Sequence, residues 1–179
     1  GLGLSLEQIG YAFMPAFWGF TIAIILGGRL VDSIGILKGM WFGFISHTIG
    51  IILTLIANDF SSLLIATIIM GLGNGMVEAV CNPLVASMYP QEKTKMLNRF
   101  HLWWPAGIVI GSLVGLIIMD LMNLSWQLMV ASLFVPLILY GYLLAGQSFP
   151  QTERVILGIN QQDTLKSLTK PLFIFITLS

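Results

Sequence analysis

Charge is what this sequence lacks most. Only 9% of its 179 residues are Asp, Glu, Lys or Arg, roughly a third of the share in an ordinary soluble domain. So few charges cannot cover a water-facing surface. Eight basic residues balance eight acidic ones, which leaves no positive excess to attract nucleic acid. The single cysteine, Cys81, closes no internal disulfide. No cleavable signal peptide stands at the start. Neither HExxH nor GxSxG occurs, and an isolated acid without a nucleophile builds no catalytic centre. No enzyme, no cofactor and no metal site are expected.

Long apolar runs are what the sequence has instead. A membrane-spanning helix needs about 20 mainly apolar residues. Five stretches qualify, at about 9–30, 39–57, 62–88, 102–121 and 126–145, and a sixth opens at 171–179. Their continuity argues for helices, since barrel strands show about ten residues of alternating polarity. Trp126 and Tyr89 fall near span ends, where amphipathic rings are favoured. The expected fold is all-α: a polytopic membrane helix bundle. The chain begins at Gly1 and ends at Ser179 inside an apolar run, so it reads as a piece of a longer polypeptide, incomplete at both ends. Residues 1–146 are expected to form a transmembrane half, and the polar stretch 147–170 a loop between halves.

The links between spans alternate in charge. Arg29, Lys38, Lys93, Lys95, Arg99, Arg154, Lys166 and Lys170 all fall on one side; Glu7, Asp59 and Asp120 mark the other. Loops on the cytoplasmic side keep Lys and Arg. A multi-pass protein of the cell membrane, its basic loops cytoplasmic, follows as an expectation.

Glu78 is the outlier. It lies well inside the third span, where a carboxylate costs a few kcal/mol even on lenient scales. Asn74 and Asn82, four residues to either side, share its helix face. Such a polar stripe faces a bundle interior or a water-filled cavity. Pro83 removes a backbone donor beside it. An acid there can take up and release a proton as water reaches it, or bind a solute; a buried interhelical hydrogen bond is the structural alternative. His101 opens the fourth span, followed by Trp103, Trp104 and Pro105. Imidazole and indole rings facing a cavity suit a polyhydroxylated ligand, although tryptophans also mark the membrane interface. His47 sits between Ser46 and Thr48, which suits ordinary interhelical bonding. Tyr11, Pro15 and Trp18 share one helical face, open to packing or to a cavity. Gly107, Gly111 and Gly115 form a flat stripe for helix contact. The glycines of 71–75 follow no strand, so they form no nucleotide loop.

The turn 28–38 carries a motif: Gly28, Leu30, Asp32 and Gly35, with Lys38 beyond. It resembles the loop between helices two and three of major facilitator superfamily transporters. That pattern usually holds basic residues where Ser33, Ile36 and Leu37 stand here. The resemblance implies a six-helix half covering helices two to six and the start of seven, with Gly28, Asp32, Gly35 and Lys38 as a conformational switch. More narrowly, 78–83 with Leu97, Asn98 and the His101 region looks like helices four and five of the fucose/glucose–galactose–proton symporter family. That likeness implies proton coupling at Glu78 and solute binding by Asn74, Glu78, Asn82, His101 and Trp104. His101 and Trp104 stand where that family often has amides.

The function expected is a secondary active transporter working by alternating access. It would move a small polar solute, with sugar the favoured class, in symport with protons. Its partners would be that solute, protons, the lipid bilayer and the remaining helices of its own polypeptide. The rival readings are an efflux antiporter for amphipathic compounds and a non-transporting scaffold or sensor.

Overall fold

Residues 3–158 are described by the computed structural model, and among them there is helix but no strand. Helix α1, Leu6–Ile34, starts at a capping box in which Gln8 N–H donates to Ser5 Oγ and Ser5 N–H to Gln8 Oε1. These bonds satisfy donors a helix start leaves open. Gly35 closes α1 at φ +88°, a backbone glycine takes without strain, and α2, Ile36–Ile56, follows at once. Helix α3, Phe60–Met88, opens at a second capping box, Asp59 with Ser62.

The fourth membrane-length segment runs Lys93–Leu121. It comprises α4, Lys93–His101, α5, Trp103–Gly115, and a π-helical turn, Leu116–Leu121. Lys93, Lys95 and Arg99, assigned to a loop from sequence, lie in this helix's first turns. Long basic side chains reach water from such positions. The fifth segment, Trp126–Leu144, comprises α6, Trp126–Ser132, and α7, Phe134–Leu144. Both segments break three residues before a proline, at Leu102 before Pro105 and at Leu133 before Pro136. Each proline lacks the N–H that would bond the carbonyl four residues back. A short α8, Glu153–Ile156, ends the described chain. The expected span at 171–179, with Lys166 and Lys170, lies outside the described residues.

Glycine sets how closely these helices meet. A Cβ on Gly19 would fall on the Ile68 carbonyl, one on Gly71 on the Ala16 carbonyl, and one on Gly75 on the Phe20 carbonyl. Helices α1 and α3 therefore touch backbone to backbone. Helix α2 closes on α3 more loosely, through side chains: Gly43 faces Val77 and Gly73 faces the His47 ring. Val31, Ile36, Met76, Val80 and Leu84 make one buried cluster across these three helices. Ile51, Val130 and Leu137 make a second, toward α6 and α7. The Tyr140 hydroxyl pins α7 to α2 by donating to the Met40 carbonyl at 2.7 Å. Large apolar side chains such as Phe17, Trp18 and Ile25 point outward. In water such a surface would aggregate; toward lipid it is the ordinary exterior. Five helical segments are long and apolar enough to cross a membrane, and the chain is a multi-pass helix bundle.

The Asp59 cap carries a pH prediction. Its carboxylate accepts from Ser62 N–H at 2.7 Å, and that bond holds Asp59 below the usual carboxylate range. A depressed folded value adds stability above the ordinary range, lost as pH falls through the depressed value. Asp59→Ala should therefore lower the melting temperature at neutral pH, and the two proteins should converge in acid. Thermal unfolding of the full polypeptide in detergent at both pH values checks this.

Candidate functional site

The polar stripe of α3 faces a cavity of about 160 Å³ whose lining includes His47, Asn74, Glu78, His101, Trp103 and Trp104. Three elements supply it: α2 gives His47, α3 gives Asn74 and Glu78, and the α4–α5 junction gives the rest. A site for a drug-sized ligand measures about 300–1,000 Å³, and this cavity holds about half the lower figure.

Each polar residue of α3 in the cavity meets an imidazole. Asn74 Oδ1 lies 3.0 Å from His47 Nε2. With that oxygen accepting, His47 carries a proton on Nε2. Glu78 Oε1 lies 3.5 Å from His101 Nδ1. The Glu78 side chain is 19% exposed and that of His101 50%. The carboxylate thus sits among polar groups at the cavity edge. Asn82 Nδ2 donates to the same Glu78 oxygen at 3.0 Å. Asn82 does not line the cavity; it braces the carboxylate from one turn away. Its Oδ1 is buried and has no hydrogen-bond partner among the described residues. Trp104 packs edge-on against Phe20 of α1, ring centroids 5.8 Å apart. Both tryptophans line the cavity and remain exposed.

The structure therefore brings together Asn74, Glu78, His101 and Trp104, with Asn82 behind them. His47 makes the interhelical bond expected of it, but to Asn74 of α3 and not through its flanking hydroxyls. Thr48 Oγ1 donates to the Phe44 carbonyl of its own helix, and Ser46 is buried. The usable signal was Gly73. A Cβ there would stand 2.7 Å from His47 Cδ2, so a glycine beside Asn74 makes room for a ring. Tyr11 and Trp18 are exposed, Pro15 is buried, and none lines the cavity.

A second polar assembly closes the turn 28–38. Asp32 Oδ2 pairs with Arg154 Nη1 at 3.0 Å, and Thr152 Oγ1 donates to Asp32 Oδ1 at 2.7 Å. Gly28 and Asp32 border a cavity of about 380 Å³ together with Thr152 and Arg154. Gly35 makes the turn, and Lys38 is exposed on α2. Lys38 is the basic residue that follows the motif. The cation that pairs is Arg154, delivered from the far end of the described chain.

The sequence profile of the Major Facilitator Superfamily matches residues 1–178. Hexose transporter 1 of Toxoplasma gondii is 36% identical over 102 residues, 56% of this chain and 18% of that protein. The chloroplastic sodium-dependent phosphate transport protein 1 of Arabidopsis thaliana is 31% identical over 117 residues, 64% of this chain and 22% of that protein. Multidrug resistance protein 3 of Bacillus subtilis is 31% identical over 113 residues, 60% of this chain and 22% of that protein. The chain spans about a fifth of the length of these curated relatives. No solved structure matches it. With five membrane-length helical segments among the described residues and a match along nearly all of its sequence, the chain belongs to the Major Facilitator Superfamily, whose members are transporters.

Proposed function

We propose that this chain is the N-terminal half of a secondary active transporter that moves a small polar solute, a sugar in the favoured reading, together with protons. The observation that carries the reading is Glu78: an acid on a membrane-length helix, turned to a cavity edge among polar partners. Such an acid serves transport because water can reach it from either side in turn. Glu78 carries the proton. Asn74, Glu78, His101 and Trp104 contact the solute, while Asn82 and His47 hold Glu78 and Asn74 in place. The ring faces of Trp103 and Trp104 suit the apolar side of a sugar, and the amide, carboxylate and imidazole suit its hydroxyls. The partial wall is completed by the other half of the polypeptide, and access alternates as the halves rock around it.

The turn with Gly28, Asp32, Gly35 and Lys38 serves as the switch, with Arg154 of the inter-half stretch as its partner. The basic ends face the cytoplasm and the protein resides in the cell membrane. The stripe of Glu78, Asn82 and Pro83 supports kinship with the fucose/glucose–galactose–proton symporters, and the name of the Toxoplasma relative supports a hexose.

Uptake by the full polypeptide in liposomes tests this. Radiolabelled hexoses, deoxyhexoses and nucleosides are offered with an inward proton gradient. Accumulation of one sugar class, abolished by a protonophore, is expected. The multidrug relative favours a second reading, export of amphipathic compounds. Dye extrusion without uptake of any panel member would replace the first reading by the second.

A further inference from the structure

Two amides on α3 are turned in opposite senses. Asn82 directs its nitrogen at Glu78, donating to Oε1 at 3.0 Å. Asn74 directs its oxygen at His47, with Oδ1 3.0 Å from Nε2. An amide has one accepting end and one donating end. The end turned away from a fixed partner is what it offers to anything else. Asn74 is exposed on the cavity wall, and its Nδ2 has no partner among the described residues. At position 74 the wall therefore offers N–H donors. Oε1 of Glu78 is engaged by Asn82 and faced by His101, while Oε2 has no partner among the described residues. At position 78 the wall offers an acceptor.

His47 sets the sense of the Asn74 amide. Its ring comes from α2 and is half-buried. A Cβ on Gly73 would lie 2.7 Å from Cδ2 and 2.9 Å from Nε2 of that ring. The edge that carries Nε2 therefore rests on the α3 backbone beside Asn74, where a side chain at 73 would displace it. To turn the amide round, His47 would have to give up its Nε2 proton and accept there instead. That proton would then sit on Nδ1, for which no described residue supplies an acceptor. A bonded N–H would be exchanged for an open one, which costs free energy in a half-buried ring.

Positions 74 and 78 lie one turn apart on one helix face, with about 5–6 Å between Cβ atoms. A hydroxyl both accepts and donates. Two neighbouring hydroxyls on a ring satisfy the pair, the first accepting from Asn74 and the second donating to Glu78. An ammonium group has three donors and no acceptor, so at Asn74 it would meet N–H groups like its own.

We infer that His47 sets solute specificity as a positioning residue. It holds the Asn74 amide with its N–H groups toward the cavity, so that the site takes a solute with an accepting oxygen at Asn74 and a neighbouring hydroxyl donating to Glu78. The inference deepens the sugar reading and rests on it. It does not depend on proton coupling.

Exchange of sugar for sugar by the full polypeptide in liposomes tests it without a proton gradient. Glucose, galactose and fucose are offered, each with its monodeoxy and monofluoro derivatives. A deoxy derivative has neither donor nor acceptor at the altered carbon; a fluoro derivative keeps a weak acceptor and loses the donor. One ring position, facing Asn74, should tolerate fluorine about threefold better than hydrogen in KM. A neighbouring position, facing Glu78, should tolerate neither. In His47→Phe a ring fills the same space but leaves the amide free to turn, so the threefold preference should vanish, with the change in KM more than in the maximal rate. His47→Gln, whose side-chain N–H can donate to Asn74, should keep the preference. A preference that survives in His47→Phe, or is absent from the unsubstituted protein, overturns the inference while sugar exchange leaves the sugar reading standing. Where His47→Phe fails to fold, Asn74→Asp decides. It keeps the shape and offers an oxygen in place of N–H, so fluorine should fare no better than hydrogen; a retained preference there overturns the inference as well. No exchange of any of the three sugars by the unsubstituted protein sinks the sugar reading, and the inference with it.

Discussion

Glu78→Gln should abolish proton-driven accumulation of the solute while leaving exchange of solute for solute intact. Glutamine has nearly the shape of glutamate. Its carbonyl can still accept from Asn82, which now donates to Glu78 at 3.0 Å, so the wall of the cavity persists. What it cannot do is bind and release a proton. For one proton per solute, each pH unit of gradient supports about tenfold accumulation, and that entire factor should vanish. Two liposome measurements separate the effects: uptake driven by a proton gradient, and counterflow with solute on both sides. Accumulation at the unsubstituted level would remove Glu78 from the coupling. Loss of counterflow together with accumulation would mean that the substitution had broken the solute site itself. The buried Asn82 Oδ1 without a partner sharpens the expectation. An amide with a spare acceptor can turn to receive a proton from a protonated Glu78, but a glutamine side chain has no hydroxyl to offer it.

What the sequence reveals here depends on how local the physics is. Lipid requires about 20 apolar residues per span, so the helical bundle can be read from composition alone. The polar stripe can be read as well, because Asn74 and Glu78 owe their common face to one helix turn. The roles within the stripe cannot. Asn82 has the same spacing as Asn74, yet it braces Glu78 while Asn74 lines the cavity. That difference is set by where α2 and α4 sit, which helical spacing does not encode. The Asp32–Arg154 pair is hidden for the same reason, since four further membrane-length segments separate the two residues in sequence. His47 is the middle case. Flanking hydroxyls gave it plausible local partners, and only Gly73 across the interface hinted at its partner on α3.

Gly71→Val should produce the largest loss of stability. A side chain at Gly71 would fall on the backbone carbonyl of Ala16, with Ala16 C 2.8 Å and Ala16 Cα 2.9 Å from the new Cβ. A flexible side chain could swing aside; a helix backbone cannot. Relief requires α1 to withdraw from α3, and Gly75, one turn on, faces Phe20 of the same helix. The whole contact line opens together. In lipid no hydrophobic force pulls helices back, because association rests on packing and interhelical bonds. Overpacking costs about 1–3 kcal/mol in cores that can adjust, and about 3 kcal/mol or more is expected at this backbone contact. Thermal unfolding of the full polypeptide in detergent measures it. Gly71→Ala discriminates further: helix propensity alone would make alanine about 1 kcal/mol better than glycine, so a gain there would contradict the contact. The effect should also reach the site. Phe20 lies on α1 against the Trp104 ring, and a retreating α1 takes that support from the cavity wall. A loss of solute binding in step with the loss of stability would tie the two; full binding on a destabilised scaffold would show that Trp104 holds its place without Phe20.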